Sequence, residues 1–123
     1  MNHPDTILLY VKKTAVSAAF YHRLFSAPIV EESENFALLI LSNGVKLGLW
    51  AESDVKPAPD LGVSGFELCV QVGTDLLTEA AWAEVQAASL PVLQKPTRLD
   101  FGLTFVVSSP DGHRIRVFSA PLR

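Results

Sequence analysis

Apolar residues in this chain fall into short blocks separated by polar residues, glycine and proline, and each block carries either a strand or a helix period. Thr6 to Val11 (TILLYV) is apolar and rich in strand formers, so it reads as a strand. Lys12-Lys13-Thr14 ends it, and the Thr14 hydroxyl can cap a following helix. That helix is predicted over residues 15–26, with Val16, Ala19, Phe20, Leu24 and Phe25 on its buried face and Pro28 closing it. Ile29 to Ser33 and Phe36 to Leu41 are the second and third strands. Asn43-Gly44 signals a two-residue hairpin, because both residues tolerate positive φ, and Val45 to Ala51 pairs back as the fourth strand.

A polar, proline-containing linker covers residues 52–63, and then the order repeats. Gly65 to Val72 is a strand. Thr74 or Asp75 caps a helix over residues 76–88, with Leu77, Ala81, Val85 and Ala88 as its buried stripe. Pro91 to Gln94 is a short strand and Leu99 to Ser108 a longer one. Pro110-Asp111-Gly112 makes a turn, with Gly112 in the left-handed region, and His113 to Ser119 is the last strand. The expected fold class is therefore α+β: two tandem β-α-β-β-β units at a period of about 60 residues, with unit one over 6–51 and unit two over 64–120.

Composition narrows the function classes. A chain of 123 residues with 49% hydrophobic and 19% charged residues can bury a core. A net charge of −3 gives no general attraction to nucleic acid or anionic lipid. Cys69 is the one cysteine, so no intrachain disulfide forms and a reducing compartment is expected. Met1-Asn2-His3-Pro4-Asp5 shows no basic, cleavable leader, and no apolar run is long enough to span a bilayer; the expected location is the cytoplasm.

Ser17-Ala18-Ala19-Phe20-Tyr21 on the first helix and Ser109-Pro110-Asp111-Gly112-His113 before the last strand resemble markers of the glyoxalase/bleomycin-resistance/dioxygenase, or vicinal oxygen chelate, superfamily. The second motif carries Ser109 where that family usually has Asp. Phe36 to Ile40, the Asn43-Gly44 turn and Val45 to Trp50 resemble the small drug-binding resistance branch, including proteins that protect against phenazine antibiotics. The resemblance implies curled, antiparallel-rich sheets with helices outside and a cup-shaped pocket, closed within the chain or across a homodimer.

The resemblance also implies where a metal would sit. The family's four ligand positions fall at Thr6, Gly48, Glu67 and Arg116, and only Glu67 is a plausible ligand. A divalent ion needs three or four donors, and arginine repels it. His3, His22 and His113 are too scattered to replace the set, and His113, directly after the Asp-Gly turn, is expected to be solvated. No metal and no other cofactor is expected.

Strand alternation sorts the remaining candidates by face. With the mapped positions facing the cup, that face holds Thr6, Leu8, Tyr10, Lys46, Gly48, Trp50, Glu67, Cys69, Gln71, Arg114, Arg116 and Phe118. The opposite parity is uniformly apolar: Ile7, Leu9, Val11, Leu47, Leu49, Leu68, Val70, Val72, Ile115 and Val117. Aromatic residues mixed with a few polar groups are the usual lining of a small-molecule pocket. The predicted ligand contacts are Tyr10, Lys46, Trp50, Glu67, Arg116 and Phe118, with Phe101 and Phe105 as further lining. Glu67 and Arg116 can form a structural ion pair, which can also fix a polar ligand. Lys46, Arg114 and Arg116 make the floor basic and favour an anionic ligand. Trp50 can pack at a subunit interface or stack on ligand, Trp82 is expected in packing, and Cys69 is expected as a small buried hydrophobe.

These readings favour a non-catalytic protein that sequesters a small aromatic antibiotic or related metabolite, with no catalytic residue and no nucleic-acid or membrane partner. The alternative is a glyoxalase- or dioxygenase-type lyase or isomerase with an atypical site around Glu67.

Overall fold

The chain was analysed as a computed structural model that describes residues 4–62, 66–100 and 102–119. It divides into two units, Met1–Ser64 and Gly65–Arg123. In the first unit, β1 (Thr6–Val11) leads into α1 (Thr14–Phe25), then β2 (Ile29–Glu32), β3 (Phe36–Ile40), β4 (Lys46–Ala51) and a 3-10 turn at Glu52–Asp54. In the second, β5 (Leu68–Gln71) leads into α2 (Asp75–Ala87), β6 (Val92–Leu99), β7 (Gly102–Ser108) and β8 (Arg114–Phe118). This is the predicted order, twice, in the predicted α+β class. His3, Phe101 and the predicted start of the fifth strand at Gly65 lie outside the described residues.

The two sheets share one topology, β1-β4-β3-β2 and β5-β8-β7-β6. In each, the first strand lies parallel to the fourth, and the remaining pairs are antiparallel. A parallel pair needs a long crossover, and in each unit the helix begins it. The β3–β4 and β7–β8 turns also match. Gly44 N–H donates to the Leu41 carbonyl at 2.9 Å and Leu41 N–H to the Val45 carbonyl at 2.9 Å. Gly112 N–H likewise donates to the Ser109 carbonyl at 3.0 Å, and Ser109 N–H to the His113 carbonyl at 2.9 Å. Each turn is closed by a glycine at positive φ, 88° at Gly44 and 85° at Gly112. The Asn43-Gly44 turn is therefore longer than the predicted two-residue hairpin: only Gly44 is left-handed, and the Asn43 side chain instead accepts from Val45 N–H. Ser109 Oγ accepts from both Asp111 and His113 N–H, which pins this turn through a short polar side chain.

Burial follows the predicted strand parity. Leu9, Val11, Leu47, Leu49, Ile115 and Val117 are buried, while Leu8, Tyr10, Lys46 and Arg114 are exposed. Ile7, Leu68 and Val70 of the edge strands β1 and β5 are only half-buried. α1 packs on β3 and β4, and α2 on β7 and β8.

The helix faces differ from the prediction. α1 buries Thr14, Ser17, Ala18 and Tyr21, and Val16 is 50% exposed. Positions 14, 17, 18 and 21 keep helical spacing, but their side chains are mostly small, which lets the helix sit close to the sheet. Thr14 is the first helical residue rather than the cap, and its buried hydroxyl has no hydrogen-bond partner among the described residues; Lys13 occupies the N-cap without a side-chain bond. α2 is capped as predicted, with Thr74 Oγ1 accepting from Leu77 N–H. It buries Thr78 and Val85 and lays Trp82 edge-on against Phe105 at 5.3 Å, leaving Leu77 exposed. β6 begins one residue later than expected and continues through Pro96 to Leu99, which shortens the predicted 99–108 strand to β7. The linker is not wholly solvent-facing, since Val55 after the 3-10 turn is buried.

Candidate functional site

Two predicted site residues meet in the second unit. Cys69 of β5 stands opposite Arg116 of β8, so Glu67, two residues earlier, lies on the same side of the sheet. The Arg116 guanidinium grips the Glu67 carboxylate through two bonds, Nε to Oε2 at 2.7 Å and Nη2 to Oε1 at 3.0 Å. Arg116 Nη1 also donates to Gln94 Oε1 and to Thr104 Oγ1, each at 3.3 Å. Thr104 can accept because its own hydroxyl proton goes to the Val117 carbonyl at 2.8 Å. A bidentate guanidinium–carboxylate pair braced from a third and fourth strand is geometrically fixed.

The pair changes the charge of this corner. Arg116, through its hydrogen bonds, holds the Glu67 carboxyl below its ordinary range, and Glu67 in turn raises Arg116. Arg114 reaches the same carboxylate only at 4.0 Å and is 60% exposed. The basic charge of this sheet face is thus less than that of two free guanidiniums, since Glu67 neutralises one.

Stability should fall in acid as a result. Glu67 has a depressed folded-state pKa, so its contribution is present above the ordinary glutamate value of about 4.3 and is lost as pH falls through the lower folded value. Asp75, lowered by Arg98 and Ser119, has the same sign. In a pH series of thermal melts, Glu67→Gln should be less stable than wild type at neutral pH by roughly 1 kcal/mol, and the difference should shrink as pH falls below the ordinary glutamate range. A constant difference across the series would show that the carboxylate charge is not what stabilises the corner.

Three neighbouring residues depart from expectation. Cys69 is exposed rather than buried, and its thiol pKa is raised by desolvation and by the Glu67 charge, which makes it a poor nucleophile. His113 is half-buried rather than solvated. Its ring lies 5.8 Å from that of Phe66, its Nδ1 has no hydrogen-bond partner among the described residues, and burial lowers its pKa. Phe105 is wholly buried against Trp82 under α2, so it belongs to the core and not to the ligand face. Phe118 is half-buried on the Arg116 side, opposite Thr104 and Gln71.

In the first unit, the β1–β4 register sets Tyr10 beside Trp50 and Thr6 beside Lys46, on the sheet face away from α1. Phe36 stands opposite Trp50 from β3, and Leu38 opposite Gly48. Leu8, Tyr10 and Ile40 are 43%, 39% and 38% exposed on this face, an unusual amount of large apolar surface for one side of a four-stranded sheet. Gly48 is needed where it stands: a Cβ there would meet Leu8 Cδ1 at 3.0 Å and Phe36 Cζ at 3.3 Å. The six predicted contacts therefore form two sets, Tyr10, Lys46 and Trp50 on one sheet and Glu67, Arg116 and Phe118 on the other. Sequence reading missed Gln94 and Thr104, which brace Arg116, and Phe36, which extends the aromatic face.

The family's metal does not fit these residues. Thr6 and Gly48 offer no strong ligand, Arg116 is a cation, and both oxygens of Glu67 are already bonded to it. Among the described residues, no three of His, Cys, Asp and Glu come together. Among the same residues, no helix is long and apolar enough to cross a membrane.

Known proteins share this architecture. The chain is 28% identical over 116 residues to the phenazine antibiotic resistance protein EhpR of Enterobacter agglomerans, covering 93% of this chain and 89% of that one. A solution NMR structure of an Agrobacterium tumefaciens protein superposes with a TM-score of 0.87 at 38% identity, covering 99% of this chain and 100% of that one. A crystal structure of a glyoxalase-related enzyme from Fulvimarina pelagi has the same fold, with a TM-score of 0.80 at 20% identity over 96% and 88% of the two chains. A family model matches residues 3–117, a span that takes in both strand-helix-strand-strand-strand units, and the chain belongs to the glyoxalase/bleomycin resistance protein/dioxygenase superfamily.

Proposed function

We propose that this protein binds and sequesters a flat, partly aromatic small molecule, an antibiotic or related metabolite, without transforming it. The observation that carries this reading is the open aromatic face of the first unit, where Tyr10, Trp50 and Phe36 stand together beside exposed Leu8 and Ile40. Such a face gains both area burial and offset stacking from a planar ligand. Tyr10 and Trp50 supply apolar contacts on this face, and Lys46 beside Thr6 can orient a polar group there; in the second unit, Phe118 and the Glu67–Arg116 pair are the candidate contacts of that sheet. The similarity to a phenazine resistance protein supports a tricyclic aromatic as the ligand class. The absence of a metal-ligating set at the family's positions supports binding over turnover, and no metal or other cofactor is part of the proposal.

The test uses phenazine-1-carboxylate as probe with EDTA-treated protein. Binding should quench tryptophan fluorescence and raise the melting temperature by mass action, EDTA alone should leave that temperature unchanged, and the compound should be recovered intact. Loss of stability with EDTA, or conversion of the compound restored by a divalent ion, would overturn the reading in favour of a metal-dependent lyase or isomerase.

The same reading includes a symmetric homodimer in the cytoplasm. An open four-stranded sheet leaves edges and an apolar face that a second copy can cover. Light scattering should give twice the chain mass at micromolar concentration, and a monomer there would count against the dimer. Cell fractionation checks the location.

A further inference from the structure

We propose that Lys46 receives an anionic group of the ligand, so that the open face of the first unit selects aromatic carboxylates over their neutral analogues. The assignment rests on the sequestration reading, names its ligand class and uses residues of the first sheet alone. On the side of that sheet away from α1, Lys46 shares a row with Thr6 and Ile40. Trp50 shares a row with Tyr10 and Phe36, four residues further along β4. The face is therefore polarised along β4. Its rings stand at one end and a cation at the other, with the two Cα atoms about 13 Å apart at the usual strand rise.

The span between these ends is apolar. Gly48 lies midway, paired with Leu8 and Leu38. A Cβ at Gly48 would meet Leu8 Cδ1 at 3.0 Å and Phe36 Cζ at 3.3 Å, so these two side chains lie across the glycine, which is buried. A fused ring system stacked at Trp50 and extended along β4 runs over this floor, and its far edge arrives at Lys46.

Lys46 can meet an acidic group there at little cost. It is exposed, and its strand neighbours Thr6 and Ile40 are uncharged. Among the described residues, no carboxylate pairs with its ammonium. Asp5, whose carbonyl accepts from Lys46 N–H at 3.0 Å, has its carboxylate bonded to the Thr6 hydroxyl at 2.8 Å. Glu31 stands opposite Leu38 on β2, two strands from β4, or about 10 Å at the usual strand spacing. That is about a Debye length at physiological salt, so its attraction for Lys46 is screened, while it disfavours an anion at its own edge. A carboxylate at the Lys46 end gains a charge-assisted hydrogen bond without displacing an existing partner.

Lys46 is then a specificity-determining residue. The probes are phenazine-1-carboxylate and its neutral isostere phenazine-1-carboxamide, titrated calorimetrically. Wild type should bind the carboxylate about five-fold tighter, as expected for one partly exposed charge pair. The preference should shrink as salt is raised to about 0.5 M. Lys46→Gln should abolish the preference by weakening the carboxylate alone, Lys46→Arg should keep it, and Lys46→Glu should reverse it. All three replace an exposed side chain and should leave the melting temperature in place. Arg23→Gln, which removes one exposed cation from α1, should change neither affinity.

Equal affinity of wild type for the two compounds would overturn the proposal while leaving sequestration intact. Equal weakening of both by Lys46→Gln would do the same, as would an effect of Arg23→Gln matching that of Lys46→Gln. A preference that survives Lys46→Gln but is lost in Lys12→Gln would also overturn it, since Lys12 follows β1 at the aromatic end of the face. If wild type binds neither compound, the sequestration reading falls and this proposal falls with it.

Discussion

Leu49→Ala should cost the protein about 2–5 kcal/mol of stability, toward the upper part of that range, while leaving the ligand affinity of the folded fraction unchanged. Leu49 is wholly buried in β4, which lies between β1 and β3. Its register partners are Leu9 and Ala37, both also buried. The cost of such a truncation depends on whether neighbours can move into the space. Here they are poorly placed to do so. Ala37 has no side chain to extend, and the buried positions of α1 include Ser17 and Ala18, so the covering layer is already short of mobile bulk. Helix approach would require moving the whole element over a close-packed sheet. Denaturant unfolding of the variant gives the measurement. A loss below about 1 kcal/mol would mean that Leu49 is not a core residue and that the parity assigned to β4 is inverted.

That parity was readable in advance because strands with one apolar face carry a strict two-residue alternation. Val11, Leu47, Leu49 and Ile115 are buried, and the residues between them are not, Gly48 excepted. The helices were less readable. Apolar periodicity points to Val16 and Leu77, yet both are exposed, because the sheet side of each helix is chosen for fit as well as for hydrophobicity. Thr14, Ser17 and Thr78 are buried there, and hydropathy gives no reason to select them. Thr78 becomes intelligible only with the fold, where its hydroxyl lies 3.4 Å from the carbonyls of Thr74 and Leu103.

The candidate site shows the same division. Glu67 and Arg116 could be paired from sequence, since matching the two units puts them on neighbouring strands. Their supports could not. Residues 95–98 (KPTR) are polar and contain Pro96, which argues against a strand, but β6 is a sheet edge where proline is tolerated. Register shifts between Val92 and Gln94, and again between Gln94 and Thr97, then decide that Gln94 reaches Arg116. Such a shift leaves no mark in a hydrophobicity pattern.

Trp50→Ala should weaken binding of phenazine-1-carboxylate ten-fold or more and leave the fold in place. Trp50 lies on the sheet face away from α1, half-buried, with Tyr10 on one side and Phe36 on the other. Removing it takes away the largest ring of that face. A lost stacking pair costs about 0.5–1.5 kcal/mol beyond the area that the indole buries, and together these exceed the roughly 1.4 kcal/mol that corresponds to ten-fold. The core beneath is untouched, because Leu47 and Leu49 point to the opposite face. The variant should therefore melt cooperatively within a few degrees of wild type, the reverse of Leu49→Ala. Calorimetry is the appropriate measurement, since Trp50 is also the expected reporter of fluorescence quenching; Trp82, packed against Phe105 under α2, should respond weakly. Residual quenching in Trp50→Ala would then be small even where binding persists. An affinity for phenazine-1-carboxylate equal to that of wild type would place the aromatic ligand elsewhere and leave this face to cover a second subunit instead.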